Sequence, residues 1–95
     1  MPARRAQRKV PGGKLVRVDA LCREGVLSDV RITGDFFVHP EEALTGIERQ
    51  LNAGRFDGNE MDLAERVGRI VSDSGARLVG FGPNDIADLL RELRC

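Results

Sequence analysis

"KLVRVDALCREGVLSDVRITG", residues 14–34, is the stretch on which the fold turns. In its first half Val16, Val18, Ala20 and Cys22 alternate with Arg17 and Asp19. A period of two puts the apolar set on one face of a half-buried strand. "REG" at 23–25 makes a tight connection, and Val26, Val30 and Ile32 then oppose Asp29, Arg31 and Thr33. The pair reads as an antiparallel hairpin with one wet face. Gly34 suits a kink or bulge, and Asp35-Phe36-Phe37-Val38 either continues the second strand or forms a short third one.

Downstream the period changes to that of helices. In "HPEEALTGIERQLNAG" (39–54), Pro40 suits the first helical position, Glu41 and Glu42 suit the positive end of the dipole, and Gly54 suits the exit. Leu44, Ile47 and Leu51 form its apolar stripe. "RFDGN" (55–59) is a turn; Leu63, Val67, Ile70 and Val71 mark a second helix, with Asn59 as a cap and Gly75 as a stop. "ARLVGFG" (76–82) is a strand or an extended connection, and Pro83 opens a third helix striped by Ile86, Leu89, Leu90 and Leu93. Strands first and helices afterward predict an α+β fold: a small antiparallel sheet, a hairpin plus a possible third strand, covered on one face by about three helices.

Upstream, residues 1–18 carry Arg4, Arg5, Arg8, Lys9, Lys14 and Arg17 with no acid, so a charge of +6 there is balanced by −6 over the rest of a neutral chain. Residues 1–8 read as a flexible basic arm, a solvated tail in front of a single domain over 9–95. The chain's 95 residues suffice for one small core, not for a catalytic domain plus a binding domain. Two cysteines, Cys22 and Cys95, are too few for a disulfide scaffold, and a reducing compartment is the simpler expectation. With no signal-peptide h-region and no apolar run of about 20 residues, the expectation is a soluble, cytoplasmic protein.

Several motifs invite chemistry and then withhold it. "GGKL" (12–15) resembles the end of a phosphate-binding loop, but Leu15 stands where Ser or Thr would hold Mg²⁺, and a strand follows instead of a helix. "GFGPND" (80–85) lacks the third glycine of a dinucleotide fingerprint and reads as a turn and helix start. Cys22, Asp35 and His39 do not have the spacing of a zinc site; Cys22 is expected in the core and His39 as a helix cap. Phe36 and Phe37 are adjacent, so in an extended chain they point to opposite faces. One fills the core, and the other meets solvent, the first helix or a partner.

Taken together, "KVPGGKLVRV" (9–18), "ITGDFFVHPEEAL" (32–44) and "IERQLNAG" (47–54) resemble the C-terminal accessory domain of lipoate-protein ligases, which in some archaea and bacteria is a separate small subunit. The likeness is strong over residues 8–54, and "LVGFGPNDIADLLREL" is consistent with the family's last helix. The resemblance implies a large catalytic subunit that binds lipoate and ATP with Mg²⁺, makes lipoyl-AMP and passes the lipoyl group to a lysine of a lipoyl-carrier domain. The accessory domain closes on that active site and is needed for adenylation. It further implies that this chain, which has none of the large domain's motifs, is inactive alone and holds no cofactor by itself. The start at Met1 favours the separate-subunit arrangement. In such an arrangement a compact ammonium suits a phosphate contact and a Gly-Gly turn allows close approach, so Lys9, Pro11, Gly12, Gly13 and Lys14 are expected near the partner and its adenylate, with Asp35, Phe36 and Phe37 as interface candidates.

Two other readings compete. An iron–sulfur assembly scaffold shares the sheet-then-helices outline, but the cysteine constellation it needs is missing. A small nucleic-acid-binding module would use the basic arm, which lacks interleaved aromatics and a matching basic face elsewhere.

Overall fold

The computed structural model describes residues 3–12, 14–53 and 62–93. Strands β1 (Ala3–Val10), β2 (Lys14–Arg23) and β3 (Val26–Gly34) form an antiparallel sheet in that order; β4 (Phe37–His39) and β5 (Arg77–Val79) form a second, two-stranded antiparallel ribbon. Helices α1 (Glu42–Ala53), α2 (Leu63–Asp73) and α3 (Pro83–Glu92) complete an α+β architecture.

The expected hairpin is β2–β3. Its loop is Glu24-Gly25, both at positive φ (52° and 79°), the backbone of a two-residue turn whose twist matches that of the flanking strands. Asp19 faces Arg31 whereas Leu21 faces Ser28, which leaves Asp29 and Val30 together opposite Ala20. This bulge, with Asp29 at φ 51°, corrects the expected alternation. It shifts the core-facing set at the strand's start from Val26, which is 37% exposed, to Leu27, which is buried.

A larger correction concerns the basic arm. Residues 3–10 are not a solvated tail but the edge strand β1, paired with β2 along its whole length from Ala3↔Leu21 to Val10↔Lys14. The apolar alternation is weak there because only Ala6 and Val10 pack inward. β2 supplies the backbone pairing, so an edge strand needs little apolar content of its own. Arg5 pairs with Asp19 directly opposite, and Arg8 reaches Asp88 of α3.

The core lies between the inner face of the three-stranded sheet and the helices. Val16, Val18, Leu27, Val30 and Ile32 meet Ile47 and Leu51 of α1, Leu63, Val67 and Val71 of α2, and Ile86, Leu89 and Leu90 of α3, all buried. In α1 the stripe rotates slightly, with Ala43 buried and Leu44 half-buried. Ser74 closes α2 through its hydroxyl, which donates to the Val71 carbonyl, and Gly75 follows at φ 70°. Asn59 and Gly54, expected as a cap and an exit, lie outside the described residues. Pro83 stands at the start of α3, where the Asp85 carboxylate accepts from the Gly82 N–H.

Cys22, expected in the core, is half-buried and disulfide-bonded. The chain's other cysteine, Cys95, lies outside the described residues. Among the described residues, no helix is long and apolar enough to cross a membrane.

Candidate functional site

Three connections meet at one end of the sheet: the β1–β2 turn, the β3–β4 loop and the β5–α3 loop. Asp35 joins the first two. Its carboxylate accepts from the Leu15 N–H at 2.5 Å, and its own N–H donates to the Leu15 carbonyl at 3.2 Å. Gly34 permits this approach: at φ 153°, a Cβ there would stand 2.1 Å from the Leu15 carbonyl oxygen. Asp35 is thus a clamp that seats the lysine-bearing turn against the loop carrying the phenylalanines.

The two phenylalanines separate as extended geometry requires. Phe36 turns inward and meets the buried Phe81, with ring centroids 4.2 Å apart and planes tilted by 36°. Phe37 turns outward and is 58% exposed, so α1 does not cover it. Around it the short ribbon assembles a surface. Val79, directly opposite on β5, is 39% exposed; His39, two residues along β4, stacks parallel at 6.4 Å between centroids; and the Lys14 ammonium lies 5.7 Å from the Phe37 ring centre. The aliphatic stem of Lys14 runs over Gly80, where a Cβ would come within 2.8 Å of Lys14 Cγ. A cation is therefore held by its stem and by an aromatic face, beside apolar surface left open to solvent. A shallow cavity of about 230 Å³ continues the patch past Phe36, His39, Glu41 and Leu44.

No family model and no curated protein matches the sequence. Among solved structures the chain is similar to one from an archaeal lipoylation system, a bi-partite lipoate protein ligase and its E2 lipoyl domain from Thermoplasma acidophilum. The TM-score is 0.62 at 25% identity, over 94% of this chain and 92% of that one. The fold is that of a lipoate-protein ligase accessory domain.

Within this fold the two lysines part company. Cross-strand partners share a face, so Lys14, opposite the buried Val10, lies on the helix side of the sheet, whereas Lys9, opposite Leu15, lies on the open side. Lys14 thus joins Phe37, and Lys9 does not. Pro11 and Gly12 form the turn between them, with Gly12 at φ 105°; Gly13 lies outside the described residues. His39, expected as a cap, sits in β4 opposite Arg77. The sequence reading missed His39, Val79 and Gly80 as parts of the patch. A strand reading of "ARLVG", paired with "FFVH", would have found Val79 beside Phe37, since both segments are short and β-prone.

Proposed function

We propose that this accessory domain is the small subunit of a two-subunit lipoate-protein ligase. With a large catalytic subunit it supports the ATP-dependent conversion of lipoate to lipoyl-AMP, which precedes transfer to a lysine of a lipoyl-carrier domain. The observation that carries this reading is the match to a chain of a bi-partite lipoate protein ligase across nearly the whole length of both chains.

On this reading the Lys14–Phe37 patch is the face turned toward the large subunit. Adenylation concentrates negative charge on the α-phosphate and the departing pyrophosphate, and a cation already oriented before the reaction stabilises that charge without reorganising. Lys14 meets the requirement, because its stem over Gly80 and its head over Phe37 restrict where the ammonium points. Phe37 and Val79 offer apolar surface for the contact. ATP, Mg²⁺ and lipoate belong in this scheme to the large subunit. Among the described residues no three His, Cys, Asp or Glu side chains gather to hold a metal ion.

The test is reconstitution. The chain mixed with the large subunit, ATP and lipoate yields lipoyl-AMP at a rate the large subunit alone does not reach. Full adenylation by the large subunit alone overturns the proposal.

A further inference from the structure

The two edges of the three-stranded sheet are treated differently. On the β3 side the edge is closed by α1: the Val30 N–H donates to Asn52 Oδ1 at 2.6 Å, and the Ile32 N–H donates to Glu48 Oε2 at 2.7 Å. On the β1 side no described residue hydrogen-bonds across it. Among the described residues no hydrogen bond beyond the ladder to β2 engages the backbone of Ala3–Val10, and six of its eight residues are exposed. A strand of that length presents a row of unpaired donors and acceptors on which another extended segment can add.

The charges on β1 say what kind of segment fits. The strand carries Arg4, Arg5, Arg8 and Lys9 and no acid. Arg5 and Arg8 are engaged by Asp19 and Asp88, while Arg4 and Lys9 have no ion pair among the described residues. The open face of the sheet adds Arg17 and Arg31, which lie in the cross-strand rows of Gln7 and Arg5. A second copy of β1 would set like charges against one another, which is unfavourable. An acidic strand would answer them. We infer that the outer edge of β1 is the seat of an added strand from an acidic extended segment of the catalytic partner subunit. The inference rests on the two-subunit ligase reading and extends it, since the Lys14–Phe37 patch needs no strand pairing.

The experiment uses the full chain and the large subunit of its ligase. Amide hydrogen exchange is followed over residues 3–10, with and without the large subunit, and affinity is measured for the wild type and for Arg4→Glu/Lys9→Glu. Binding should slow exchange at the β1 amides that the free chain leaves unprotected. The double variant, altered at exposed positions, should melt like the wild type yet bind about tenfold more weakly, with a reduced salt dependence. Tight binding with β1 exchange unchanged overturns the inference and leaves the ligase reading intact. Failure of the large subunit to bind at all overturns both. Protection of β1 in the isolated chain that grows with concentration, or on adding a single-stranded oligonucleotide alone, assigns the edge to a second copy or to nucleic acid and equally overturns it.

Discussion

The Lys14 ammonium lies 5.7 Å from the centre of the Phe37 ring, a contact between the strand after the Pro11-Gly12 turn and the strand after the Gly-Asp-Phe loop. Neither residue is fixed by its own element alone. Asp35 clamps the two connections together, Gly34 allows the clamp, and Gly80 leaves room for the lysine stem. On the proposed reading the exposed ring carries the docking, because a solvent-facing Phe gains most when a partner covers it.

Phe37→Ala should leave the thermal midpoint close to that of the wild type, since the ring is 58% exposed in the free chain. Its affinity for the large subunit should fall by a factor on the order of 30, the scale of a central aromatic anchor. Titration calorimetry alongside a melt reads both, and an unchanged affinity removes Phe37 from the interface.

If Lys14 faces the adenylate as proposed, Lys14→Ala should slow lipoyl-AMP formation by about tenfold or more while transfer from preformed lipoyl-AMP changes little, because the charge it would offset develops only in adenylation. Gly80→Ala gives an independent handle: it keeps the lysine but pushes its stem aside, at a backbone φ of 95° that side chains rarely adopt. Equal losses in both half-reactions for Lys14→Ala would mean that the lysine serves binding alone.

Gly34→Ala should destabilise the fold by at least about 2 kcal/mol, from the strained backbone and the collision with the Leu15 carbonyl. Asp35→Ala removes one acceptor at an exposed site and should cost only about 1 kcal/mol. Chemical denaturation of the two variants distinguishes the clash from the lost hydrogen bond.

The bulge in β3 makes a prediction in neighbouring residues. Leu27→Ala should cost about 2–5 kcal/mol, whereas Val26→Ala, one position earlier, should cost less than about 1 kcal/mol. Comparable losses at both positions would mean that the register without a bulge is the correct one.

Truncating the side chains that close the β3 edge, Glu48→Ala with Asn52→Ala, should lower stability by about 1–3 kcal/mol for each donor left without its partner. It should also promote self-association, read by light scattering, because a freed edge with fewer charges is a template for pairing.

The hairpin, the three helical stripes and the divergence of Phe36 from Phe37 were all legible in the sequence, because each is a local periodicity: two for strands, 3.6 for helices. Val16, Val18 and Ile32, or Ile86, Leu89 and Leu90, declare their faces without reference to anything distant. The motifs that bear on the candidate site were legible too, as "KVPGGK" and "GDFF".

Tertiary structure decided the rest. Whether residues 3–10 are tail or strand depends on β2 offering a free edge, which the apolar pattern of β1 does not record. The displacement of Val26 by Leu27 depends on a bulge whose signal is one residue's backbone angle. Above all, the sequence sets Lys9 and Lys14 side by side around one turn, and the hairpin's pairing sends them to opposite faces of the sheet. Periodicity is a property of neighbours along the chain and is read from the chain; which lysine meets Phe37 depends on strand register and on the Asp35 clamp, contacts between segments that only the folded state brings together.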